Sequence, residues 1–124
     1  MTGLSSRISF RQGDLFEALE AGELFDAILS NPPYIPTGEI PGLAPEVLRD
    51  PLQSLDGGMD GLDLIRRLVE NAAHHLKKGG FLLFEIGLDQ STPVQNLLKA
   101  AGYHEIVFME DLQKIPRVAR ARRP

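Results

Sequence analysis

The sequence predicts an α/β fold built on a mostly parallel sheet whose last strand runs antiparallel. Two runs, Phe25-Asp26-Ala27-Ile28-Leu29-Ser30 and Phe81-Leu82-Leu83-Phe84-Glu85-Ile86, are nearly continuous in apolar character, as strands are when both faces of a parallel sheet are covered. Around them lie segments whose apolar residues recur at helical spacing, and strand and helix alternating in this way build parallel sheets with helices on their faces. The last two strand candidates are joined by Glu110 to Pro116 alone. A parallel crossover needs a dozen or more residues, so the final strand turns back antiparallel.

The elements follow in order. Ile8 to Arg11 reads as a short strand, followed by a turn at Gly13-Asp14 and a brief helical stretch from Leu15 to Leu19. Phe25 to Ser30 is the second strand. Residues 31–59 contain six prolines, too many for a helix or a central strand, and a loop of this length inside a compact domain is usually functional or disordered. From Asp60 the pattern Leu62, Ile65, Leu68, Val69, Ala72, Ala73 and Leu76 marks one face of a helix. Asp60 is its expected N-cap and Gly79-Gly80 its expected stop. Phe81 to Ile86 is a buried central strand. Val94, Leu97, Leu98 and Ala101 face a second helix that Gly102 ends, and strands over His104–Met109 and Arg117–Arg122 close the chain.

Bulk properties bound the function. With 124 residues, 43% hydrophobic and 24% charged, the chain is a single ordinary globular domain that buries roughly two thirds of its unfolded surface. No apolar run approaches the ~20 residues needed to span a bilayer, and Met1 to Gln12 lacks the pattern of a secretion signal. The expectation is a cytoplasmic protein with no membrane partner. The absence of cysteine excludes disulfides, thiol nucleophiles and cysteine-ligated zinc. The net charge of −4 hides an asymmetry: residues 1–62 carry three basic and ten acidic side chains, residues 63–124 ten and seven. Lys114, Arg117, Arg120, Arg122 and Arg123 crowd the end. Such a run can meet RNA or an acidic partner, but a solvated strand edge that resists aggregation is the commoner reason for it.

Asn31-Pro32-Pro33-Tyr34 follows the second strand directly, and ligands of open α/β sheets bind beyond the carboxyl ends of strands. For a substrate with a planar amino group, the Asn31 side-chain oxygen can accept one N–H and the Pro32 carbonyl the other. The nitrogen lone pair is then aimed at an electrophile while Tyr34 lies against the planar group. Neither proline carries a competing N–H, and both stiffen the segment. Asn-Pro and Pro-Pro are also ordinary turn signals. Gly13-Asp14 ends the first strand, where the carboxylate of Asp14 either accepts hydrogen bonds from a cofactor amino group or caps the following helix.

Ser30-Asn31-Pro32-Pro33-Tyr34-Ile35 after an apolar strand resembles the catalytic motif of amino-directed class I methyltransferases. Asp50-Pro51-Leu52-Gln53-Ser54-Leu55, Gly57-Gly58-Met59-Asp60-Gly61-Leu62, the run from Lys78 through Phe84-Glu85-Ile86-Gly87, and Ala101-Gly102-Tyr103 resemble, more narrowly, the HemK-type protein-(glutamine-N5) methyltransferases. Those enzymes modify the glutamine of the Gly-Gly-Gln loop in peptide chain release factors. The resemblance runs from about Ile8 to Arg123. It implies a partial class I, Rossmann-like methyltransferase sheet and S-adenosylmethionine as cofactor, with no metal. Asn31 and the Pro32 carbonyl would grip the glutamine amide, with Pro33 beside them and Tyr34 packed on it. Asp14, with Leu15, would contact the adenine end of the cofactor, and Ser30 and Asn31 lie where methyl donor and acceptor meet.

The pattern departs from the family upstream. Residues 1–124 correspond to the C-terminal portion of a methyltransferase catalytic domain, without the helical N-terminal domain, the first two strands or the glycine-rich cofactor loop. Gly57-Gly58 with Gly61 follows no strand and is not read as a nucleotide loop. With those strands absent, Phe25–Leu29 is expected to find a nonstandard neighbour or to self-associate across its edge.

Two other functions compete. An adenine-N6 or similar nucleic-acid amino methyltransferase fits the basic end, although the loop offers no aromatic beyond Tyr34 for base stacking. A catalytically silent fragment that only binds the substrate loop fits the incomplete cofactor site. Other chemistries find little support. His74 and His75 are expected on a helix facing solvent, His104 has no evident partner, and Asp60 and Asp63 suit a helix N-terminus better than a metal site.

Overall fold

The computed structural model of the chain describes residues 16, 19–43, 45 and 55–124. The expected first strand at Ile8–Arg11, the Gly13-Asp14 turn, Leu15 and the Asp50 to Ser54 block lie outside them. Four strands form one mixed sheet in the order β1 (Phe25–Ser30), β2 (Leu76–Glu85), β4 (Pro116–Arg122), β3 (His104–Glu110). β1 and β2 are parallel, and β4 runs antiparallel to both β2 and β3, the reversal that the short Glu110–Pro116 connection demands.

Helices α1 (Asp63–Ala72) and α2 (Ser91–Ala100) pack on one face of this sheet. Ile65, Leu68, Val94 and Leu98 from the helices meet Leu82, Phe84 and Ile86 of the β2 segment and Ala119 and Ala121 of β4, all at most 2% exposed. The strand residues alternate with Phe81, Leu83 and Glu85, as the two-residue period of a strand requires. Each fully buried Leu, Ile or Phe contributes about 1.5–3 kcal/mol, so this layer holds the sheet. α2 ends as the sequence predicts. The N–H of Gly102 bonds to the Lys99 carbonyl and that of Tyr103 to the Leu98 carbonyl, with Gly102 at φ +89°; this is a Schellman cap.

Four expectations are corrected. α1 begins at Asp63 with Leu62 as its N-cap; Asp60 instead accepts the Leu62 N–H at 3.0 Å and pairs with Arg66. Leu76 belongs to β2, opposite Phe25, and the register then jumps so that Ala27 faces Phe81. Gly79, at φ +81°, therefore absorbs a bulge inside the strand, after α1 has already given way to a short 3-10 turn at Ala73–His75. β1 is not covered on both faces: Leu29 is 75% exposed. β1 pairs with β2 on one edge, and its other edge carries no strand among the described residues.

The basic end is not a strand edge, because β4 lies between β2 and β3. Arg117 pairs with Asp111 and Arg122 with Glu105. Arg120 and Arg122 also lie 5.4 and 4.3 Å from the Phe81 ring centroid, sheltering the second face of the sheet. His75, expected in solvent, is half-buried: its ring stacks on Phe16 at 5.2 Å, and Nδ1 lies 3.0 Å from the Glu23 carbonyl. No described helix is long and apolar enough to cross a membrane.

Candidate active site

β1 and β2 run parallel and both deliver their chains to the same end of the sheet. Asn31-Pro32-Pro33-Tyr34 leaves β1 there, and Ile86-Gly87-Leu88-Asp89-Gln90 leaves β2. Pro32 is buried, Pro33 and Tyr34 are half-buried, and Asn31 is exposed. The Asn31 side chain makes no hydrogen bond among the described residues. Ser30 pairs with Phe84 at the last rung of the parallel ladder.

Tyr34 is the fixed point of the segment. Its hydroxyl donates to Glu85 Oε1 at 3.0 Å, joining the carboxyl ends of the two parallel strands. Burial raises the phenol's pKa, the bond to Glu85 raises it further, and Arg117 opposes both, so at neutral pH the hydroxyl keeps its proton and remains a donor. Its carbonyl accepts from Gln90 Nε2 at 2.8 Å. The same amide reaches the Gly61 carbonyl at 3.4 Å, while Gln90 Oε1 accepts the Gly87 N–H at 2.8 Å.

Glycines make this proximity possible. A β-carbon on Gly57 would lie 2.5 Å from the Gly61 carbonyl oxygen and 2.8 Å from the Tyr34 Cα, and one on Gly87 would lie 2.9 Å from Tyr34 Cδ1. Gly57 thus belongs to the bed of the Tyr34 segment. Around this bed the Ile35 N–H bonds to the Leu55 carbonyl and the Gly57 N–H to the Ile35 carbonyl. The Asp56 carboxylate accepts from the Thr37 hydroxyl at 2.6 Å and the Gly58 N–H at 2.9 Å, which hold its pKa below the usual value.

A cleft of about 620 Å³ opens beside Tyr34, lined by Glu39, Leu62, Leu88, Pro93 and Arg117 among others. Of the four motif residues only Tyr34 lines it; Asn31, Pro32 and Pro33 lie outside its walls. Asp14 and Leu15, expected at the cofactor's adenine, lie outside the described residues. Sequence reasoning assigned no site role to Glu85 or Gln90. Each carried a signal: a lone carboxylate at the carboxyl end of an apolar strand, and a polar residue three positions after a glycine in a turn that opens a helix.

No family model matches the chain. Among curated relatives, a release factor glutamine methyltransferase of Gloeobacter violaceus is 45% identical over 118 residues, 94% of this chain and 41% of the relative. One of Moorella thermoacetica is 47% identical over 100 residues, 81% of this chain and 35% of the relative. One of Cereibacter sphaeroides is 44% identical over 123 residues, 98% and 44%. The chain thus spans about two fifths of the length of these relatives. Among solved structures, a release factor-specific protein-(glutamine-N5) methyltransferase from Alicyclobacillus acidocaldarius superposes with a TM-score of 0.52 at 27% identity, over 81% of this chain and 49% of that one. A methyltransferase from Pyrococcus furiosus, 18% identical, shares the fold at a TM-score of 0.54 over 82% of this chain and 42% of that one.

Proposed function

We propose that this chain belongs with the release factor glutamine methyltransferases to part of which it is similar, and that the protein carrying it methylates the side-chain amide nitrogen of the glutamine in the Gly-Gly-Gln loop of peptide chain release factors. On this reading residues 1–124 are the C-terminal portion of the catalytic domain. The observation that carries it is the Asn31-Pro32-Pro33-Tyr34 segment at the carboxyl end of β1, tied through Tyr34 to the carboxyl end of β2.

Asn31 is exposed and without a side-chain partner among the described residues, so its oxygen is available to an incoming N–H. The Pro32 carbonyl takes the second N–H, and the amide plane is then set by two acceptors. Each such bond contributes only about 1 kcal/mol net. The larger gain is orientation, because holding a weak nucleophile in attack geometry removes roughly 7–11 kcal/mol from a barrier. Tyr34, neutral and pinned to Glu85, fixes the tilt of the bound amide and takes no proton from it. S-adenosylmethionine, when bound, would supply an electrophilic methyl group and leave as S-adenosylhomocysteine, with the displaced amide proton passing to water. Ser30 and Asn31 suit its reactive end, since they offer a half-buried hydroxyl and an unpartnered amide at the carboxyl end of a parallel strand; Asp14 and Leu15 would hold its adenine.

The basic end lends little to a nucleic-acid substrate. Arg117 and Arg122 are engaged by Asp111 and Glu105, and Arg123 Nε donates to the Ala73 carbonyl at 3.3 Å. Incubating the full-length protein with methyl-labelled S-adenosylmethionine and either a release factor or nucleic acid separates the readings. Label in the release factor alone is the expected result; label in nucleic acid alone, or in neither, rejects the proposal.

A further inference from the structure

Gln90 is the buried polar side chain of the described core, 7% exposed, and its amide is surrounded by backbone. The Gly87 N–H can only donate, so Oε1 faces it at 2.8 Å. The carbonyls of Tyr34 and Gly61 can only accept, so Nε2 faces them at 2.8 and 3.4 Å. One side chain therefore joins three separate segments: the loop after β1, the turn before α1 and the turn after β2. Only a primary amide offers two donors and an acceptor on one rigid plane. A glutamate of the same shape would present an acceptor to two carbonyls, and a leucine would leave three buried backbone groups unpaired.

The tie falls where the segment lacks others. Pro32 and Pro33 carry no N–H, so the chain from Asn31 to Pro33 cannot be anchored through donors of its own at those two positions. The first anchors downstream are the Tyr34 carbonyl on Gln90 and, one residue later, the Ile35 N–H on the Leu55 carbonyl at 3.1 Å. The Tyr34 hydroxyl bond to Glu85 fixes the ring; the position of the main chain leading back to the Pro32 carbonyl depends on Gln90.

We infer that Gln90 is a positioning residue for methyl transfer: its amide sets the main chain of Tyr34 and, through it, the spacing of the two acceptors that grip the substrate amide. Gln90 borders the cleft, but its amide is committed to the backbone of Gly87, Tyr34 and Gly61, so it acts through the Tyr34 main chain. The inference rests on the proposed amide-gripping role of Asn31 and Pro32, and its structural half can be tested without that role.

The experiment compares Gln90→Glu, Gln90→Leu and the parent in the full-length protein by two readouts. The first is hydrogen exchange. In both variants the amides of Ile35 and Thr37, bonded to the Leu55 and Gly58 carbonyls, should exchange about tenfold faster or more, while those of Leu82 and Phe84 stay as in the parent. In Gln90→Glu the effect should lessen as the pH falls and the carboxyl gains a proton to donate. The second is steady-state transfer to a Gly-Gly-Gln peptide. A displacement of about 1 Å costs about a hundredfold in rate, so kcat should fall on that scale and the KM for peptide rise, with binding of S-adenosylmethionine unchanged and with Gln90→Glu alone recovering toward acid.

Parent-like exchange at Ile35 and Thr37, or exchange that rises equally there and in the core, overturns the inference. So does a fall in kcat with the parent's peptide KM and pH profile, since a simple loss of folded enzyme gives that pattern. A parent that methylates no peptide rejects the proposed function, and the exchange data then still decide whether Gln90 positions the loop. Should Gln90→Glu fail to fold, Gln90→Asn, which keeps the amide but is one methylene short, is read by the same exchange criterion.

Discussion

Gly57→Ala tests whether the Tyr34 segment is held by close backbone contact. The new β-carbon would meet the Gly61 carbonyl oxygen at 2.5 Å, the Gly61 carbonyl carbon at 2.8 Å and the Tyr34 Cα at 2.8 Å. All three are backbone atoms, so no side chain can rotate away. Relief is further restricted because the Gly57 N–H bonds to the Ile35 carbonyl and its carbonyl to the Asp63 N–H, both at 2.8 Å. An unstrained contact needs about 3.5 Å, so Gly61 must retreat by roughly 1 Å and Tyr34 by about 0.7 Å on the same scale. Overpacking of this kind costs about 1–3 kcal/mol, which lowers the Tm by several degrees and up to about 15 °C in a domain of this size. The same displacement at a gripping loop costs about a hundredfold in turnover. Gly38→Ala is the control, since a β-carbon there meets nothing within 4 Å among the described residues and should leave both quantities unchanged. Thermal unfolding and peptide methylation are measured on both variants. If Gly57→Ala matches Gly38→Ala in Tm and turnover, the reasoning about the glycine bed is wrong.

Two further predictions concern the core. Burial raises the Tyr103 phenol to about 12, and its hydroxyl donates to the Val69 carbonyl at 2.8 Å. Because the folded pKa lies above the unfolded value of about 10, this stabilisation is complete below pH 10 and disappears as the pH rises toward 12. Tyr103→Phe should therefore be about 1 kcal/mol less stable at pH 8 and lose less stability than the parent between pH 10 and 12; urea midpoints that differ by a constant amount across that range contradict the assignment. Phe84, 1% exposed between both helices and β4, should cost about 3–5 kcal/mol when replaced by alanine, measured by urea unfolding with the m-value unchanged.

Much of this architecture was legible in the sequence because local chemistry and tertiary packing agree. The Val94–Leu98 face and Gly102 describe α2 to its cap, and the five residues between β3 and β4 force the antiparallel reversal. The errors occur where a local signal has two physical uses. Gly79-Gly80 can stop a helix or open a bulge, and the pairing of Leu76 with Phe25 selects the second. An apolar run such as Phe25–Leu29 shows that a strand has apolar residues on both faces, but not which face is covered, hence the exposed Leu29. The arginines of β4 read as an edge because polar residues are common there, whereas here they cover the sheet face from a central strand. At the site, Asn31 to Tyr34 was visible as a contiguous motif. Glu85 and Gln90 were not, since their partners lie 51 and 56 residues away in sequence and only the parallel pairing of β1 with β2 brings them together.

On the proposed function, Asn31 and its neighbours grip a glutamine amide for methylation. The most direct measurement is mass spectrometry of a release factor after incubation with S-adenosylmethionine and either the full-length protein or its Asn31→Ala variant. The parent should add one methyl group to the glutamine of the Gly-Gly-Gln loop. The variant should add none, although its stability stays within about 0.5 kcal/mol of the parent's, as for an exposed side chain with no partner among the described residues. Methylation by the variant at the parent's rate, or modification at any other residue, would contradict the account.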